Sequence, residues 1–416
     1  MRKMIAVLAL VLALGIFTSA SLRTDDITVA IVSAAVGHEA QAPPPFIVNE
    51  RIFVPTAPLP AENTQTTIDY QPADNFNFIT AYVFLEKGVQ VLAIHEGVLW
   101  AKQHDTGRLM QSVNQGGNWT FIYEFQKPIR AIHVDEAGNV FVSITNDRWA
   151  SVGTGQIHRS PDGGETFSQV LALQSGGAEN WNIASKGGTM FVSEYGFKGR
   201  GDNARRIYRS VDWGQTWETV FEPAPRYNFH HHKILILDDG IVYQSVGDGR
   251  NAEIMRSVDN GDSWTTAVSG LQPTSAVVLE NYILWGLDGG PWYGVARYNR
   301  QTGEVTRAFT TPEPFGSSNY DMVKANGVIY AMFLSYGGGN YGHPGSIFFS
   351  KDEGATWELL GYITKEPEWG VGLYSIVADG QFAYVNMCAP IYRNGIREMG
   401  FVGTLRFELL HNAQYY

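Results

Sequence analysis

The chain has 416 residues, with 30 Lys and Arg against 41 Asp and Glu, a formal net charge of −11. That balance argues against nucleic acid and anionic membrane surfaces as general partners, because both carry charge of the same sign. The single cysteine, Cys388, rules out an intrachain disulfide; it reads as a small buried apolar residue in a chain long enough to build its core without one.

In chain order, Arg2 and Lys3 precede an apolar run from Met4 to Phe17, and Thr18-Ser19-Ala20 offers small residues for cleavage. Residues 1–20 therefore read as a secretory signal. An uncleaved anchor is the rival reading, with a run short of the ~20 residues a span needs. The expected location is secreted or periplasmic. Residues 21–75 hold a stiff segment, Gln41-Ala42-Pro43-Pro44-Pro45, and an alternating stretch from Ile47 to Pro55 that predicts a strand. Residues 76–416 carry 3.6-residue periodicity almost nowhere and turn signals throughout, which predicts an all-β domain of short strands.

A repeated unit organises that domain. In one copy, Ile129 to Val134 predicts a strand, Asp135-Glu136-Ala137-Gly138 a turn, Val140 to Ile144 a second strand, Gln156 to Ser160 a third, and Phe167 starts a fourth. Second strands are predicted to begin near Val98, Val140, Met190, Val242, Ile283, Ile329 and Ala383. The intervals suit one four-stranded blade of about 40–45 residues or a little more. The expectation is a seven-bladed β-propeller, with six blades as runner-up, closed by an N-terminal strand from the 21–75 segment that completes the last blade. Thr404 to Leu409 reads as a late strand of that blade.

The third and fourth strands are joined by a recurring turn. Its copies run from Ser160 to Phe167, Ser210 to Trp217, Ser257 to Trp264 and Ser350 to Trp357, with a weaker one from Ser112 to Trp119. The pattern is Ser-x-Asp-x-Gly-x-Thr-Trp. Asp162, Asp212, Asp259 and Asp352 are expected to fix the turn by accepting backbone N–H groups. The Gly takes a positive φ, and the terminal ring packs between sheets. This motif resembles the Asp-box, or bacterial neuraminidase repeat, of β-propeller proteins in the sialidase-like superfamily. The resemblance implies the fold and leaves function open, because such turns are structural.

Topology then nominates a site. The box turns and the turn between first and second strands share one face; the loops between second and third strands, and the entries to first strands, share the other. On that second face the catalytic candidates are His230, His231, His232, Glu194, Tyr195 and Asp248. The candidates for substrate contact are Arg250, Asp288, Trp292, Arg148, Trp181 and Tyr336. Strand alternation sends His230 and His232 one way and His231 the other. Arg suits a uronate carboxylate, His and Tyr suit proton transfer, paired carboxylates suit glycoside hydrolysis, and aromatic rings suit sugar faces.

The expected activity is therefore cleavage of a polysaccharide, by lyase or hydrolase chemistry. Secreted seven-bladed ulvan lyases are similar in architecture and residue types, and seven-bladed Asp-box glycoside hydrolases supply the second precedent. A non-catalytic glycan- or protein-binding propeller is one alternative. An exo-sialidase is another; Arg51-Ile52-Phe53-Val54-Pro55 is loosely similar to the early Arg-Ile-Pro segment of that family. The expected partner is a polysaccharide or glycan, with the chain a monomer. No Cys/His zinc spacing occurs, and the Asp-rich turns lack the twelve-residue calcium-loop pattern. No cofactor or metal ligand is assigned, and a structural calcium has no support.

Overall fold

The second strands explain the architecture. Val140–Ile144, Val242–Val246 and Val328–Leu334 are buried at every position, so these runs cannot face water on either side of a sheet. Fourth strands such as Thr120–Glu124 and Thr265–Ser269 are exposed or half-buried throughout. Sheets buried in the middle and wet at one edge pack face to face around an axis.

The computed structural model describes residues 82–85, 88–104, 106–145, 155–196, 204–225, 229–289, 293–312, 315, 318–334, 345–363, 372–393 and 396–410. The predicted signal, the 21–75 segment, Arg148, Trp292 and Tyr336 lie outside them. The described strands form seven four-stranded antiparallel sheets, a seven-bladed β-propeller. The first strands of six blades are Val89–His95, Ile129–Val134, Ile183–Lys186, His231–Ile236, Gln272–Val278 and Ser318–Ala325. Gly372–Ala378 begins the seventh. These first strands meet their neighbours around the axis.

The closing strand is Tyr82–Phe84, which follows the 21–75 segment expected to supply it, and it pairs Tyr82 with Phe407 and Phe84 with Leu405 on Ile396–Glu408. The Asn386 and Thr404 side chains latch the same joint. Asn386 donates to the Val91 carbonyl at 2.5 Å and accepts from the Val91 N–H at 3.1 Å. Thr404 donates to Asn386 Oδ1 at 2.7 Å.

Each box turn is also a contact between blades. Asp212 Oδ1 accepts the Ser210 hydroxyl at 2.7 Å and the Thr216 N–H at 2.9 Å, while Oδ2 accepts the Thr216 hydroxyl at 2.6 Å. Asp162, Asp259 and Asp352 repeat this. Gly214 has φ +73°, and a Cβ there would lie 2.3 Å from the Phe141 ring in the preceding blade. Gly261 sits in the same way on Phe191. The glycine thus serves the left-handed turn and the close approach together.

Candidate functional site

The start of blade four is shaped by its neighbours. Asn182, in the short turn Asn180–Asn182, donates to the His231 and His232 carbonyls at 3.1 and 2.9 Å. The pairing of His231–Ile236 with Val242–Val246 slips in register between His231 and Ile234. Two apart on an extended segment, His230 and His232 point the same way, their Nε2 atoms 2.9 Å apart. Asp248 Oδ1 lies 3.4 Å from His230 Nε2 and 3.7 Å from His232 Nε2. Asp248 is presented by Gly247 and Gly249, at φ +68° and +55°. Gln272 Nε2 donates to its Oδ1 at 2.8 Å.

The two histidines are buried and Asp248 is partly open. Burial, reinforced by the neighbouring His230, pushes His232 down to about 3, against the pull of Asp248. His232 is therefore neutral at ordinary pH. Asp288, which closes the second strand of blade five, is pushed up to about 6 by burial and then by the charge of Asp248. These groups are the set within the described residues that could hold a metal ion: His230, His232 and Asp248 each offer one atom, all within 4.8 Å of one another.

A row of rings borders this cluster. Tyr195 stands edge-on to His230 at 5.5 Å and Trp181 edge-on to Tyr195 at 5.5 Å. Trp181 meets Tyr320 at 5.6 Å, and Tyr320 meets Tyr374 at 5.6 Å. Trp181 belongs to blade three and Tyr320 to blade six, so their contact crosses the axis at its mouth. One residue beyond His232 and Tyr320 on their strands are Lys233 and Asp321. Burial lowers Lys233 against the attraction of Asp321. It raises Asp321 to about 6, against Lys233 and the Ile376 and Met322 amides.

The nominated residues thus divide. His230, His232, Tyr195, Asp248, Asp288 and Trp181 gather at the mouth, with Arg250 exposed on the turn that follows Asp248. His231 and Glu194 do not reach it. His231 is fully buried between Phe221 and Phe229, with ring centroids at 6.3 and 5.4 Å. Glu194 is fully buried as well, and it accepts the Gln174, Ser175, Arg205 and Arg206 amides and the Tyr208 hydroxyl at 2.8–3.2 Å. Burial pushes its carboxyl up; Tyr208, the amides and Arg206 pull it down. Glu194 is taken up by amides and Tyr208 and His231 is enclosed by rings, so among the described residues neither side chain joins the cluster of His230, His232 and Asp248. Sequence reasoning passed over Gln272 and Tyr374 and left Tyr320 without a role. A register signal was present: Tyr320 and Tyr374 are each third in the first strand of their blade.

No family model matches the chain. A curated relative, the xyloglucanase Xgh74A of Acetivibrio thermocellus, is 28% identical over 281 residues, covering 55% of this chain and 30% of that protein. The chain therefore spans about a third of that relative's length. Among solved structures, the GH74 xyloglucanase from Xanthomonas campestris superposes with a TM-score of 0.52 at 16% identity, covering 78% of this chain and 54% of that one. The Niastella koreensis GH74 enzyme gives 0.52 at 15%, covering 77% and 55%. The structure of U3-55K gives 0.51 at 11%, covering 77% and 98%. Neighbours as different in name as these share the propeller fold with this chain, and at such identities the likeness is one of fold.

Proposed function

We propose that this chain is a secreted carbohydrate-active propeller that binds a polysaccharide across the mouth opposite the box turns and hydrolyses it. The observation that carries this reading is one juxtaposition. The ring row Trp181, Tyr195, Tyr320 and Tyr374 abuts the titratable cluster of His230, His232, Asp248 and Asp288. Flat rings take the apolar faces of sugars, and a carboxyl whose proton affinity burial raises toward neutrality can give a proton to a leaving oxygen. Asp288 is the residue for that role. The partial likeness to a xyloglucanase supports a neutral, branched β-glucan as the first substrate class to test. The four turns are read as Asp-boxes, and export rests on the Arg2 to Ala20 pattern.

An exo-sialidase needs arginines for its substrate carboxylate; Arg206 is already held by Glu222 at 2.8 Å, and Arg250 is exposed. The test is a panel of neutral and acidic polysaccharides, read in parallel for new reducing ends and for the absorbance of unsaturated uronates. Reducing ends alone from a neutral polymer, lost in Asp288→Asn, are expected. Absorbance with reducing ends would replace hydrolase by lyase. Retention of polymer without either signal would leave a binding module.

A further inference from the structure

The geometry points to a divalent transition-metal site made by His230, His232 and Asp248 at the mouth of the ring, with Zn2+ the ion best suited to it. The placement of these three side chains defines the site without any polysaccharide.

The three donor atoms are separated by 2.9, 3.4 and 3.7 Å. A triangle with those sides has a circumscribed radius of about 2 Å, so one point lies about equally far from all three corners. That distance matches the ~2.0–2.2 Å of zinc–imidazole and zinc–carboxylate bonds. Two imidazoles and a carboxylate form the donor set that first-row divalent ions favour over Mg2+ or Ca2+, which take oxygen. Three protein ligands leave at least one position open, and Asp248, partly exposed, lies on the accessible side.

The surroundings fit as well. Both histidines present Nε2 because they are two apart on an extended segment. Gln272 holds the ligating Asp248 oxygen, as a second layer of hydrogen bonds does around bound metals. Tyr195 packs its ring on both imidazoles, at 5.5 and 6.1 Å, fixing their planes. One feature lowers the expected affinity. His232 Nδ1 is buried without a partner among the described residues, and loss of such support costs about 10–100-fold in metal affinity. The site is therefore expected to bind about 10–100-fold more weakly than a fully braced one.

The competing account is a metal-free cluster in which one histidine donates an Nε2–H to the other. Full-length mature protein, stripped with chelator, would be titrated with Zn2+ by calorimetry in a non-coordinating buffer. Saturable binding of one ion per chain is expected, weakened at least ~10-fold by His232→Ala and by Asp248→Asn and unchanged by His95→Ala, whose imidazole is elsewhere. Should those variants fail to fold, Co2+ added to the wild-type protein decides the matter. Visible bands of a four- or five-coordinate nitrogen–oxygen set are expected, displaced by one equivalent of Zn2+. Absence of saturable Zn2+ binding, a Co2+ spectrum like that of the free aqueous ion, or affinity untouched by His232→Ala would overturn the site.

Discussion

Replacing Glu194 by Ala tests whether this carboxylate serves the fold rather than the chemistry. It lies on the segment that leaves the second strand of blade three, and it accepts four backbone amides and the Tyr208 hydroxyl. Truncation removes the acceptor of five donors, of which three are buried, the Ser175 and Arg206 amides and the Tyr208 hydroxyl, at about 1–3 kcal/mol for each buried one. It also takes from Arg206 one of its two carboxylates, while Glu222 remains at 2.8 Å. Water entering the vacated space satisfies some of the donors. The expected net loss is therefore about 4 kcal/mol, within the range for breaking a buried charged pair. For a domain of this size that lowers the melting temperature by about 6 °C. Glu194→Gln keeps one acceptor but turns an amide N–H toward the Arg205 and Arg206 amides, and about half the loss is expected. Thermal melts and urea midpoints of the three proteins measure this. A Glu194→Ala protein that melts with the wild type yet fails to cleave polymer would refute the structural reading and return the residue to the active centre.

The box glycines allow a paired comparison. Gly214→Ala places a Cβ at φ +73° against Phe141, whereas Gly163→Ala, at φ +71°, meets nothing within 4 Å. Urea denaturation should show a loss of about 1–2 kcal/mol for Gly163→Ala, from the left-handed backbone alone, and about 1–3 kcal/mol more for Gly214→Ala from overpacking; equal losses would remove the interblade role of the turn. The box carboxylates carry a pH signature. The Ser160 hydroxyl first, then Thr166, holds Asp162 at about 2, and Ser263 does the same for Asp259. Their folded values lie below the ordinary 3.8, so their contribution is complete above that pH and is lost as pH falls through about 2. Melts of wild type and the Asp162→Asn/Asp259→Asn variant should therefore converge as the pH drops from 4 toward 2. A gap that stays constant would deny the carboxylates this role.

The fold was legible because its signals are local and repeated. Ser-x-Asp-x-Gly spans a handful of residues and carries its own hydrogen bonds, so each copy declares itself without knowledge of the rest. The spacing of the buried second strands does the same at longer range, and the seven sheets follow it. The mouth was half legible. Alternation separates His230 and His232 from His231 correctly, but it cannot say which set faces the axis; Phe221 and Phe229 decide that by enclosing His231. Glu194 misled for a related reason. A carboxylate at the end of a strand looks the same whether it meets substrate or backbone, and here its partners Gln174 and Ser175 come from the preceding strand exit, 20 and 19 residues away. The cross-axis contact of Trp181 with Tyr320 joins blades distant in sequence, and no local pattern encodes it.

The joint between first and last blades has a consequence for how the chain reaches its native state. Asn386 and Val91 are 295 residues apart, so the ring cannot close until nearly the whole domain has been synthesised. Six blades form from neighbouring segments, with modest loop-closure entropy, while the seventh must find the first across the full length. Until then Val91, Leu99 and Ala101 lack their packing partners Phe382 and Tyr384. An open ring with an apolar flank at one end and an unfinished sheet at the other is complementary to its own copies, head to tail. Association of that kind does not terminate as a closed dimer would. Closure is therefore a race between an intramolecular search and concentration-dependent assembly, and the Asn386–Thr404 latch decides it by making the correct ends recognise each other.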